Sequence, residues 1–147
     1  MKKSSMALSI NIVISLITAP VSGLLTLLMQ IMGGLAKGFG GDISGTVLNF
    51  LPTLLFVLAI LSVLNFVLAI ICLAKIKRNQ DNFLKAVGLL KIAMLLLAIS
   101  ALIEIVIAIM FKGSWILFAY LIVALINIVC LVSIFKDIKN NRNKISD

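Results

Sequence analysis

The segment Phe50–Ala74 reads FLPTLLFVLAILSVLNFVLAIICLA, contains no charged residue, and is followed directly by Lys75-Ile76-Lys77-Arg78. At ~1.5 Å per residue, a helix over this run is longer than the ~30 Å hydrocarbon core of a bilayer. Pro52 lies near its start, where a missing backbone N–H costs little. Basic residues are typical of the cytoplasmic side of a membrane span. The segment therefore predicts a transmembrane helix that ends at the cytoplasmic face.

Three further apolar runs of similar length lie on either side of this segment, at about 8–32, 86–111 and 115–135. Of the 147 residues, 63% are hydrophobic and only 12% are charged, and the mean hydropathy is +1.27. A soluble domain of this length needs far more polar surface. We therefore predict one domain, 1–147, folded as an all-α integral membrane four-helix transmembrane bundle.

The connections between the runs predict the orientation of the bundle. A glycine-rich outer loop is expected at 33–46, a basic cytoplasmic loop at 75–85, and a polar cytoplasmic tail at 136–147. Eleven of the 13 Lys and Arg residues then fall on one side, and only Lys37 and Lys112 fall on the other. By the positive-inside rule, we predict that both termini are cytoplasmic and that the protein is a multi-pass protein of the plasma membrane.

The first run also resembles a secretory signal peptide, because Lys2 and Lys3 precede it. It is longer than the apolar core of a signal peptide, however, and Pro20 disfavours cleavage after Ala19. We therefore interpret it as the first membrane span.

Glu104 is the only acidic residue inside an apolar run, about seven residues from the outer end of the third span. A charged carboxylate at this depth costs ~2.5 kcal/mol or more, so we expect it to be protonated, paired or next to water. Depth matching suggests a hydrogen-bonded cluster around it, and the residues at a similar level are Ser22, Thr26, Ser62 and Tyr120. Such a cluster is either structural, with Glu104 bonded to a hydroxyl or to Lys112, or part of an ion or proton path.

Asn65 and Asn127 lie at comparable depths in the second and fourth spans. An amide buried in lipid needs a partner, so the two side chains are predicted to bond to each other across the bundle. We interpret this bond as a contact between helices rather than as a ligand site.

The residues that catalysis and metal binding require are largely missing. The chain has no histidine and two cysteines, Cys72 and Cys130, which lie in the inner halves of their spans. Metal sites, hydrolase dyads and thiol catalysis therefore lack their components, and we predict a protein that is not an enzyme and has no cofactor. The +8 net charge does not indicate nucleic-acid binding, because the basic residues flank apolar runs.

The layout as a whole, with Gly33-Gly34 to Gly40-Gly41 in the first outer loop and a Lys/Asn-rich tail, resembles the small four-helix membrane proteins of unknown function of Gram-positive-type bacteria. The resemblance covers nearly the whole chain. It implies a four-helix membrane fold located in the bacterial cytoplasmic membrane, and it implies no active site.

Two functional hypotheses follow. The first is a non-catalytic module in the lipid bilayer that packs against a membrane protein partner or a second copy of itself, as an accessory or immunity-type protein does. The alternative is a small transporter or channel subunit that uses Glu104 in an ion or proton path. Small multidrug exporters have the same size, but they rely on an acid in the first span, which this chain lacks.

Overall fold

The computed structural model describes residues 2–38, 46–78, 84–111 and 115–146. They form four helices: α1 (Lys2–Gly38), α2 (Thr46–Arg78), α3 (Leu84–Met110) and α4 (Trp115–Ser146). All four are long and apolar enough to cross a membrane. The predictions of an all-α fold and of four such helices are confirmed.

The helices form a ring in which each packs against two others. α1 lies beside α2 and α4, and α3 lies beside α2 and α4, whereas the backbones of the diagonal pairs α1–α3 and α2–α4 do not come within 8 Å (Cα to Cα) of each other in the described residues. Residues from the start of α1 pack with residues from the end of α2, so neighbouring helices run antiparallel. We call the end of the bundle where α1 begins and α4 ends the proximal end, and the opposite end the distal end.

The buried positions of α2 follow one another in alternating steps of four and three residues. They are Leu51, Leu55, Leu58, Ser62, Asn65, Ala69, Cys72 and Ile76. This 3.5-residue repeat is the seam of a helix that packs in coiled-coil fashion. The opposite faces are lined by exposed Leu, Ile, Val and Phe, as expected for helices that turn their apolar surface outward to lipid.

The interior has three layers along the bundle axis. An apolar cluster that includes Leu8, Ile76 and Leu90 fills the proximal end, and another that includes Leu55, Leu58 and Ile107 fills the distal end. Between these two clusters, the buried side chains of the described residues are polar, except for Ala101 and Ala124. We call the polar ones the polar middle layer: Asn11, Ser15, Thr18, Ser22, Ser62, Asn65, Ser100, Glu104 and Asn127.

The helices extend beyond the predicted spans. α1 continues through Gly33 and Gly34 to Gly38, so the predicted loop 33–46 begins too early, and its residues 39–45 lie outside the described residues. α2 continues to Arg78, α3 begins at Leu84, and the predicted tail 136–147 is helical to Ser146. The predictions equated helix ends with the ends of apolar runs. Extending an existing helix needs no new nucleus, so polar and glycine residues can continue it beyond the apolar run.

Both prolines lie within helices, and Pro52 is not at a helix start. α2 begins at Thr46, so Pro52 lies beyond the first turn, contrary to its predicted place. Its ring leaves the carbonyl four residues earlier without a helical partner. Pro20 is exposed in the middle of α1 and has the same effect there.

Candidate functional site

Glu104 forms the central polar contact of the bundle with Asn127. The Glu104 side chain is only 1% exposed, and Asn127 Nδ2 donates to Glu104 Oε1 at 3.0 Å and to Oε2 at 2.9 Å. Within the described residues, no cationic side chain forms an ion pair with the Glu104 carboxyl. Lys112, one of the partners considered from the sequence, lies outside the described residues. The amide of Asn127 is therefore the partner that the fold provides for this carboxyl group.

The direction of helical side chains explains why these two residues meet. Side chains on an α-helix lean toward its N-terminus. On α3, Glu104 leans toward the proximal end, and on the antiparallel α4, Asn127 leans toward the distal end. Asn127 lies further along the chain from the α3–α4 connection than Glu104 does, so the two side chains lean toward each other.

Asn65 forms the second interhelical bond of the polar middle layer. Its Nδ2 donates to Ser100 Oγ on α3 at 2.8 Å, and both side chains are buried. Ser100 and Glu104 lie one turn apart on the same face of α3. α3 therefore presents two polar groups in succession, one bonded to α2 and the other to α4.

Ser22, Thr26 and Tyr120 form a separate group at the distal edge of the layer. The Ser22 Oγ and the Tyr120 hydroxyl lie 2.9 Å apart in a hydrogen bond that joins α1 to α4. Thr26 Oγ1 donates to the backbone carbonyl of Ser22 at 2.8 Å. The Tyr120 ring meanwhile packs in the distal apolar cluster. This group fastens α1 to α4.

Two predicted arrangements need correction. Glu104 is bonded to Asn127 and not to the predicted cluster, from which Ser22, Thr26 and Tyr120 come together without it. Ser62 is buried in the same layer, but it forms no hydrogen bond with Glu104. The predicted bond between Asn65 and Asn127 is not formed either, because α2 and α4 are diagonal in the ring. Depth alone does not specify which helices are neighbours.

The sequence reasoning missed two polar features of α1 and α4. Asp137 Oδ2 accepts hydrogen bonds from the Ser4 amide at 3.0 Å and from the Ser4 hydroxyl at 2.6 Å, which ties the first turn of α1 to α4. A carboxylate at a helix N-terminus also complements the helix dipole. In addition, most of the buried face of α1 is polar, at positions 4, 11, 15, 18, 22 and 26. From position 11 onward, the polar residues follow one another at steps of three or four within an apolar run, and this spacing could have revealed that face from the sequence.

Two amide oxygens in the layer lack partners. The Oδ1 atoms of Asn65 and Asn127 are buried and have no hydrogen bond. A buried acceptor without a donor costs ~1–3 kcal/mol, so each requires an explanation. In the described part of the chain, no group of three or more His, Cys, Asp or Glu side chains is placed to hold a metal ion. The layer can hold helices together and accept a proton at Glu104.

No protein-family model, no curated protein and no solved structure matches this chain.

Proposed function

We propose that this chain is a non-catalytic transmembrane four-helix module of a bacterial cytoplasmic membrane, with both termini in the cytoplasm, and that it acts by packing against another membrane protein. The orientation rests on the distribution of Lys and Arg, eleven on the proximal side against two on the distal side. The function rests chiefly on the burial of Glu104, which is bonded to Asn127 between two apolar clusters.

This burial favours packing over transport because an ion path needs a polar surface that reaches water. In a single bundle, side chains such as Leu8 and Leu90 on the proximal side and Leu55 and Ile107 on the distal side fill the interior next to the polar layer. The polar groups then serve to fix which helix faces meet, a role for which membrane hydrogen bonds are well suited.

The outer surface offers positions for close helix packing. At Gly23 on α1 and Gly88 on α3, nothing in the bundle lies within 4 Å of the position that a Cβ would take. Small residues at a lipid-facing surface let another helix approach closely, and the resulting van der Waals packing favours helix association in membranes. Gly23 lies in the middle of α1, with the exposed Leu24 and Leu27 beside it. We propose this part of α1 as the contact with the partner.

In-cell photo-crosslinking tests the packing function. A photoreactive amino acid at Leu24 or Leu27 is expected to give a discrete protein adduct, which is lost when Gly23→Leu is added. The same amino acid at Leu102, an exposed position on α3, is the matched control and is expected to react with lipid only. Equal adduct patterns at all three positions, or no protein adduct at any of them, would overturn the proposal.

The transporter or channel subunit is a second candidate, favoured by a carboxyl group within a polar layer that links three helices. Proton and cation flux into proteoliposomes under an imposed pH gradient separates the two functions. We expect background flux from both the wild type and Glu104→Gln. Flux in the wild type that Glu104→Gln abolishes would establish transport and refute the packing role as the primary function.

A further inference from the structure

The hydrogen bonds at Asn127 leave one atom unexplained. Asn127 Nδ2 lies almost equally far from the two Glu104 oxygens, at 3.0 and 2.9 Å, while Asn127 Oδ1 is buried with no donor near it. An ionised Glu104 has only acceptor oxygens, so it cannot supply that donor. With Glu104 as a carboxylate, this contact therefore contains a buried acceptor without a partner.

Among the side chains that the structure describes, none near Glu104 carries a positive charge. From α4, the polar side chains at this level are Asn127 and Tyr120, and Tyr120 is bonded to Ser22. From α2, they are Ser62 and Asn65, neither of which titrates. Lys91 on α3 itself is thirteen residues away, ~20 Å along the helix at 1.5 Å per residue. A carboxylate here would be an unpaired buried charge, which membranes strongly disfavour.

A single proton resolves both problems. We propose that Glu104 and Asn127 form a proton-binding site, in which the neutral Glu104 carboxyl and the Asn127 amide make two hydrogen bonds to each other. The proton comes from bulk water and forms an O–H bond on one Glu104 oxygen, which cancels the negative charge. That O–H donates to Asn127 Oδ1, and Asn127 Nδ2 donates to the other Glu104 oxygen. This arrangement requires the Asn127 amide to turn about its side-chain bond, so that Nδ2 moves from its position between the two Glu104 oxygens to contact only one of them.

The pair of Asn65 and Ser100 is an internal control for this site. It lies in the same layer, it also joins α3 to a neighbouring helix, and Asn65 Oδ1 also lacks a partner. It contains no titratable group. An effect of pH on the polar layer should therefore involve the contact between Glu104 and Asn127 and not that between Asn65 and Ser100.

Infrared spectroscopy of the full chain in lipid bilayers tests the site directly. Glu104 is the only glutamate in the sequence, so glutamate labelled with ¹³C at the side-chain carboxyl reports on this group alone, without mutation. At neutral pH, we expect the C=O stretching band of a protonated carboxylic acid, shifted by the label and absent from Glu104→Gln. A labelled carboxylate band at neutral pH, with no labelled acid band, would overturn the proposal.

Variants then test the role of Asn127 in the pair. Asn127→Leu should move the labelled acid band to higher frequency, because the C=O loses its hydrogen-bond donor, whereas Asn65→Leu should leave the band in place. An acid band that is the same in Asn127→Leu and the wild type would also contradict the proposal. The helical amide band in the same spectra shows whether each variant is folded. The inference does not depend on the proposed function, because the spectrum reports the protonation state of Glu104 and does not depend on partner binding or on ion flux.

Discussion

Replacing Asn65 by leucine and replacing Asn127 by leucine should change the stability of the bundle in opposite directions. Asn65 and Asn127 are both buried, both donate through Nδ2 to α3, and both have an Oδ1 without a partner. They differ in what they leave behind when they are removed. Asn65→Leu leaves Ser100, a hydroxyl that can bond within its own helix, whereas Asn127→Leu leaves the carboxyl of Glu104.

For Asn65→Leu, the lost bond to Ser100 costs about 0.6 to 1.7 kcal/mol, from the average to the largest value typical of hydrogen bonds between membrane helices. Removal of the unpartnered Asn65 Oδ1 stabilises the fold by about 1 to 3 kcal/mol, because a buried acceptor without a donor is no longer present. Ser100 can donate to the backbone carbonyl four residues earlier, as Ser133 and Thr26 do in this bundle. The net expectation is a variant about 1 kcal/mol more stable than the wild type.

For Asn127→Leu, the same kind of bond is lost, and a buried carboxyl group remains without any partner. Leaving this buried group without a hydrogen bond costs about 1 to 3 kcal/mol, in addition to the free energy of the lost bond. If Glu104 is protonated, Asn127 Oδ1 was satisfied in the wild type, so its removal returns nothing. We expect this variant to be about 2 to 4 kcal/mol less stable than the wild type.

The measurement is reversible unfolding in mixed lipid and SDS micelles, followed by far-UV circular dichroism, with the free energy of unfolding compared at one SDS fraction. A loss of more than about 1.7 kcal/mol for Asn65→Leu would exceed the worth of a membrane hydrogen bond. It would refute the reasoning, because Asn65 Oδ1 would then have a favourable partner in the membrane, such as water. Equal stability changes in the two variants would refute it as well.

Four further outcomes follow from the packing of the bundle and from its charge distribution. Tyr120→Phe should lower the free energy of unfolding by about 0.6 to 1.7 kcal/mol, and Ser22→Ala should cost no more when added to it, because the two hydroxyls share one bond. Leu55→Ala should cost about 2 to 5 kcal/mol in the same SDS titration by leaving a cavity. Leu95→Ala, at a 61% exposed position, should stay within about 0.5 kcal/mol of the wild type. A cysteine in place of Lys139, in a chain without the two native cysteines, should react with an impermeant maleimide only after the cells are permeabilised; labelling of intact cells would contradict a cytoplasmic C-terminus.

The amino-acid sequence by itself determined that the chain has four helices and which residues form their apolar parts. Apolar runs longer than a bilayer core, separated by clusters such as Lys75, Lys77 and Arg78, have few other solutions. It also singled out Glu104, because a lone acid in such a run has to be accommodated. These conclusions depend only on composition along the chain, which a linear sequence displays directly.

Only the tertiary structure decided which polar side chains meet. In a water-soluble bundle the polar residues mark the outer face, but here both faces of a helix such as α3 are apolar, so the periodicity says little about which face turns inward. Neighbours depend in addition on the order of helices around the ring and on the direction in which side chains lean. Asn65 and Asn127 do not meet because α2 and α4 are not adjacent in the ring. Glu104 reaches Asn127 because their side chains point toward each other from antiparallel helices. The packed bundle therefore decides which residue bonds to the buried acid, because several polar residues lie at a similar depth and only one of them is adjacent to Glu104 in three dimensions.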